Sequence, residues 1–227
     1  MKVARRDVAL RKIRPGGGPE DFARWQQRKS SMTRENILDS AIDSLVDSGY
    51  AGLTTNDVAR RAGVSRGAMH HHFPTRLALV SALIEHVFYR RMRHFLDDFV
   101  ARLKVPGPDD RMMEPHVLAV DLHWHSVQSR EFEAYLRLAV AARNDTELAE
   151  AFLPAAKRYD EVWLDEMHHA FPQWRNAPEL MRLASDFTQA LQMGLLVNGS
   201  TIGEERMSAI HKELTEVVKR LAEAAQL

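Results

Sequence analysis

The chain has 227 residues, 45% of them hydrophobic, which is enough apolar material to bury a sizeable core and too much for a disordered chain. It has no cysteine, so disulfides, thiolate nucleophiles and zinc–thiolate sites are excluded; no run approaches the ~18 apolar residues of a membrane span, and the basic N-terminus leads into glycines rather than an apolar signal core, so a cytoplasmic location is expected. The net charge is zero but polarised: through Lys104 there are 19 Lys and Arg against 11 Asp and Glu, and beyond it 12 against 20, so a phosphate-bearing partner is drawn to the front of the chain and repelled from the rear.

In chain order, residues 1–30 read as a basic tail, because Gly16-Gly17-Gly18 between Pro15 and Pro19 cannot continue any element. Arg5, Arg6, Arg11, Lys12 and Arg14 suit an arm lying on DNA, and equally a solvated tail without function. From Thr33 to Ser48 the apolar positions Ile37, Leu38, Ala41, Ile42, Leu45 and Val46 repeat at the helical period, and Gly49 is placed to end the helix as a C-cap. Tyr50 to Leu53 turns the chain, with Leu53 as the plug of a small three-helix core.

The stretch from Thr54 to Arg76 reads as two short helices and a tight corner. Thr54 caps the first through its hydroxyl, and Asp57 three residues on is placed to complete a capping box; Ser65 caps the second. Ala62-Gly63-Val64 leaves room for only a short corner, and Gly63 supplies the left-handed backbone it needs. Val58, Ala59, Val64 and Met69 point inward; Ser65, Arg66, Gly67, His70 and His71 point outward. A helix entering the major groove by its N-terminal turn brings its first side chains to base edges, where Arg66 can take a guanine in a bidentate pair. The hydroxyls of Thr54, Thr55 and Ser65 and the backbone donors beside them are placed for phosphates, as is Arg76 behind them. The alternative for this stretch is a helical hairpin in any all-α core.

The segment from Gly52 to Ile84 resembles the DNA-binding segment of TetR-type transcriptional regulators. The residues that carry the likeness are Thr54-Thr55, Val58-Ala59, Ala62-Gly63-Val64-Ser65, Gly67, His72-Phe73 and Arg76. The family usually has a phosphate-touching Tyr where this chain has His70, so the resemblance passes that role to a histidine, a donor in either protonation state. It implies a ligand-responsive homodimer that binds double-stranded operator DNA, usually as a repressor, and is released by a small molecule.

Beyond Pro74, Leu77, Val80, Ile84, Val87, Phe88, Phe95, Leu96, Phe99 and Leu103 hold one face of a long helix of about 28 residues, roughly 40 Å. Pro106, Gly107 and Pro108 break the chain after it. Helices are expected near 111–128, 130–143 and 146–170, with Ser129 and Asp145-Thr146 as caps, and no strand pattern occurs. The region 111–175 is rich in aromatics and histidines, the composition of a small-molecule pocket, and Met113, His123, Trp124, Phe132, Tyr159, Trp163 and His168 are the candidate lining; ordinary core packing is the competing reading for each. Two last helices, near 178–198 and 203–225, carry regular stripes. Leu183, Phe187, Leu191 and Gly194 on one, and Leu214, Val217 and Leu221 on the other, are candidates for a four-helix dimer bundle, unless both stripes face their own core.

The histidines at 70–72, 123 and 125, and 168–169 are one or two residues apart, which on a helix aims them to different sides, so no metal is expected. There is no nucleophile elbow, no phosphate-cradling glycine loop after a strand and no HExxH, so neither an enzyme nor a cofactor is expected. The reading is therefore an all-α chain: a basic tail over 1–30, a three-helix helix-turn-helix DNA-binding domain over 31–76, and a helical ligand-binding and dimerisation domain over 77–227. Its partners are operator DNA, a small hydrophobic or aromatic effector and a second copy, with no membrane. The alternative is an architectural or protein-partner-regulated DNA binder, for which the rear core would be solid.

Overall fold

The computed structural model describes residues 25–102, 114–171 and 174–225. Among these there are helices and no strands: α1 Trp25–Gly52, α2 Thr55–Arg61, α3 Arg66–His72, α4 Arg76–Arg102, α5 Pro115–Val127, α6 Arg130–Ala141, α7 Thr146–Ala170, α8 Pro178–Ile202 and α9 Glu204–Ala224. None of them is long and apolar enough to cross a membrane. The Pro-Gly-Pro break and Met113 lie outside the described residues.

The described residues fall into two compact units. The first holds α1, α2 and α3, α4 as far as Met92, α6, and α7 as far as Val162; the second holds the rest of α4 and α7 with α5, α8 and α9. In the first unit α1 starts at Trp25, earlier than the apolar pattern from Thr33 indicates. Ile37, Leu38, Ala41, Ile42, Leu45 and Val46 are buried as the periodicity requires. Gly49 breaks the helix with φ 71° and ψ 174°, a conformation that only glycine adopts at little cost, and one further turn runs to Gly52. α1 packs on α2 and also on α6. Arg130 of α6 pairs with Asp43 of α1 at 3.0 Å, so the compact unit around the helix-turn-helix extends beyond residues 31–76.

In the second unit α9 packs on α8 and α5, and α5 on α8. α5 starts at Pro115, whose missing N–H costs nothing in the first turn. Asp145 caps α7 by accepting from the Leu148 amide at 2.9 Å. Ser129 stands directly before α6 and donates its hydroxyl to the Ser126 carbonyl at 2.7 Å.

Candidate nucleic-acid interface and effector cavity

Helices α2 and α3, joined by a tight corner, form a helix-turn-helix head. The Asp57 amide donates to Thr54 Oγ1 at 3.2 Å and the Ala68 amide to Ser65 Oγ at 3.1 Å, so both expected caps are present. The capping box is not completed by the carboxylate. Asp57 instead accepts from Ser44 Oγ at 2.8 Å and Arg61 Nε at 2.6 Å, and pairs with Arg60. These bonds, Ser44 first and then the two arginines, hold its carboxyl at about 2, well below the usual carboxylate range. Arg61 continues to Asp47 at 2.6 Å, which ties α2 to α1. Between the helices Gly63 has φ 65°, and Asn36 of α1 donates to the Ala62 carbonyl at 2.8 Å, so the corner is fixed by its own backbone and by its neighbour.

This packing buries Val58, Ala59 and Met69 and leaves Ser65, Arg66, Gly67, His70 and His71 exposed. A polar cleft of about 230 Å³ brings together Thr55, Arg66, His70 and Arg76 and adds Asn56 and Thr75, which the sequence reading did not select. Thr75 was legible as a Thr directly before a helical run: its hydroxyl oxygen accepts from the Ala78 amide at 3.0 Å. Burial, with the charges of His71 and Arg34, holds the His72 imidazole below its ordinary value, so His72 is not the cation of this face.

Arg76 does more than line the cleft. Its Nε donates to the Leu53 carbonyl at 3.0 Å and Nη2 to the Tyr50 carbonyl at 2.7 Å, while the guanidinium lies 4.4 Å from the Tyr50 ring centroid. It clamps the start of α4 to the turn that leads into α2.

The second unit holds a partly open apolar cavity of about 60 Å³. Its walls are Phe95 of α4, Val120 and His123 of α5, Trp163 and Met167 of α7, Phe171, Trp174, and Met181, Ala184, Ser185 and Thr188 of α8, with Val218 of α9. A few oriented polar groups border it. Gln192, wholly buried, donates from Nε2 to the Val120 carbonyl at 3.0 Å, so its Oε1 accepts from His123 Nδ1 at 2.6 Å and the tautomer of His123 is set by that network. Trp163 Nε1 donates to Ser185 Oγ at 3.0 Å.

The family pattern described as bacterial regulatory proteins of the tetR family matches residues 37–83, the end of α1 through the start of α4. The HTH-type transcriptional regulator CymR of Pseudomonas putida is 31% identical over 145 residues, covering 62% of this chain and 68% of CymR. This chain belongs to the TetR family of transcriptional regulators. The solved structure of a transcriptional regulator from Rhodococcus sp. Rha1 superposes with a TM-score of 0.59 at 20% identity, covering 86% of this chain and 98% of that one. The multidrug binding protein EbrR complexed with imidazole gives 0.58 at 20% identity, covering 81% and 93%. Both share the all-α fold. The regulator is thus a DNA-binding protein of the helix-turn-helix class and not an enzyme.

Within the regulator the residues expected at a ligand site separate. His123 and Trp163 line the cavity. Trp124 is half-buried and meets His211 edge to face at 5.6 Å, and His168 is half-buried but not in the cavity wall. Phe132 and Tyr159 belong to the first unit, around Arg91, a placement that helical periodicity cannot distinguish from a pocket wall. The sequence missed α8 as a wall. Its signal was Ser185, Thr188 and Gln192, spaced three and four apart along one side of an apolar helix.

The dimer candidates separate as well. Leu183 and Phe187 are 52% and 41% exposed, and Leu191 and Gly194 are half-buried on α8. Leu214 is only 1% exposed, which corrects its assignment to a dimer face: it fills the core of its own unit, while Val217 and Leu221 are half-buried. The apolar stripe of α9 is broad enough to reach two directions, and Leu214, Val218 and Ala222 take the inner one.

Proposed function

We propose that the regulator acts in the bacterial cytoplasm as a homodimeric repressor, bound to a roughly two-fold symmetric operator and released by a small apolar or aromatic effector. Residues 31–76 read DNA, residues 77–227 bind effector and partner, and the basic residues of 1–30 add phosphate contacts. Arg66 reads a base; Thr54, Thr55, Ser65, Gly67, His70 and His71 hold the backbone. Leu183, Phe187, Leu191 and Gly194 of α8, with Val217 and Leu221 of α9, meet the partner.

The observation that carries the effector reading is the apolar cavity bordered by oriented polar groups. A cavity of about 60 Å³ is smaller than the ~150 Å³ that accepts a benzene ring in an engineered protein core, so an aromatic effector must displace wall side chains, and the flexible Met167 and Met181 are the ones that yield most readily. That displacement gives the effector a different affinity for two conformations, which is what coupling requires. Phe95 of the cavity wall and Arg76 of the head clamp lie on the same helix, α4, which is the physical element available to carry the change. Small-ring binding in a relative of the same fold, EbrR with imidazole, supports the choice of ligand class.

The test is a panel of aromatic compounds scored for Trp163 quenching and for release of a labelled operator duplex. Compounds that do both are expected to lose both effects when Thr188→Leu fills the cavity, with operator binding in their absence unchanged. If no compound releases DNA, or if release survives Thr188→Leu, the effector reading fails and the architectural one replaces it.

A further inference from the structure

Arg91 of α4 is 3% exposed, and no ion pair or hydrogen bond ties it to any described residue; its Nε is buried without an acceptor. Its guanidinium sits instead among aromatic rings, 4.1 Å from the Tyr135 centroid, 4.6 Å from Phe132, 4.9 Å from Tyr159 and 6.0 Å from Phe88. All of these residues belong to the first unit. The ring faces offset part of the cost of burying the cation, but they accept none of its five N–H donors in the geometry of a hydrogen bond. Native interiors rarely leave such donors unused, and a buried charge without a counter-ion is among the costliest arrangements a core can hold.

Neighbouring groups do not supply the missing anion. Glu131 is engaged by Arg90 at 3.4 Å. Burial pushes the Tyr159 hydroxyl above the usual phenol range, despite the opposing charge of Arg91, so it is neutral in the working range of pH. Phe88, Phe132 and Tyr159 are buried while Tyr135 is half-exposed, which makes the Tyr135 side the way in.

We infer that the aromatic box around Arg91 is a binding site for a small carboxylate with an apolar body, the guanidinium fork taking the two carboxylate oxygens and the rings of Phe88, Phe132, Tyr135 and Tyr159 parting on the half-exposed Tyr135 side to take the body. The planar, bidentate match between guanidinium and carboxylate sets the chemical class, and among the described residues the box holds no second cation, which limits the ligand to one negative charge. This site is separate from the cavity of the proposed effector and is tested by binding alone, without DNA, so either reading can fail while the other stands.

The experiment is calorimetric titration of the full-length protein in chloride-free buffer with benzoate and hexanoate, and with benzamide and hexanamide as uncharged counterparts. At least one carboxylate is expected to bind about tenfold or more tightly than its amide, and that preference should vanish in Arg91→Met. Because Arg91→Met removes an unpaired buried charge, the ligand-free variant should melt no lower than the parent, so the lost preference is not a lost fold. Arg91→Lys keeps the charge without the fork and should weaken the carboxylate by about tenfold. The inference is overturned if the parent shows no preference for either carboxylate over its amide, if the preference persists in Arg91→Met, or if chloride binds as tightly as benzoate. It is equally overturned if both variants fail to fold, which would make Arg91 a cation–π keystone and nothing more.

Discussion

Arg66 stands one residue past the Ser65 cap, exposed, at the position of α3 that a groove-entering helix presents first. Arg66→Ala is expected to cost about 1–3 kcal/mol on the cognate operator and little on random duplex, measured by competition gel shift; equal losses on both would make Arg66 a phosphate contact. Asp57 has the opposite orientation, toward the protein, and its effect is on stability. Its carboxyl is lowered from an ordinary 3.8 to about 2, chiefly by Ser44 and then by Arg61 and Arg60, so it stabilises the folded state fully above the unfolded value and loses that contribution as pH falls through about 2. Urea melts of the parent and Asp57→Asn should therefore differ by a constant amount above about pH 5 and converge toward pH 2. A gap that does not narrow with acid would mean that the bonds to Asp57 do not favour its charged form.

At the scale of elements, Arg76 clamps the start of α4 to the turn before α2. Leu53 and Tyr50 take three of the five N–H donors of Arg76, so Arg76→Ala should lower head stability by about 1 kcal/mol and weaken all duplexes, while leaving the slope of log affinity against log salt in place. A slope reduced by about one would return Arg76 to the phosphate role that its position in the sequence suggests. The outer face of α8 makes a second contrast. Phe187, 41% exposed, should tolerate Asp as a folded chain that no longer dimerises, whereas Leu214→Asp puts a charge where the side chain is 1% exposed and should cost about 3 kcal/mol or more of stability. Light scattering and thermal melts separate the two; a Phe187→Asp protein that remains dimeric would place the partner elsewhere.

For the whole molecule, one short recognition helix would read too few base pairs for useful specificity, so two copies are expected to act on half-sites about one helical turn apart. Sizing chromatography and gel shift on symmetric duplexes should show dimer binding that weakens steeply with salt, as expected for a basic front half that releases counterions. A stable monomer with undiminished specific binding would contradict this.

The amino-acid sequence alone determined the helical class and most of the head, because those features are set by local rules: apolar residues at the helical period in α1 and α4, the hydroxyl caps at Thr54 and Ser65, and the positive-φ corner at Gly63. Local rules also found His123 and Trp163, though only as members of an aromatic-rich stretch. Tertiary structure decided the rest. Asp57 completes a capping box in sequence, yet Ser44 and two arginines offer its carboxylate stronger, charge-assisted bonds. Arg76 has phosphate-binding spacing, yet the carbonyls of Tyr50 and Leu53 are within reach only once the turn before α2 has folded. Phe132, Tyr159 and Leu214 satisfy the same periodicity as residues that line the cavity or face outward. Periodicity gives the side of a helix an apolar residue occupies, but which neighbour covers that side is fixed by contacts between residues far apart in sequence.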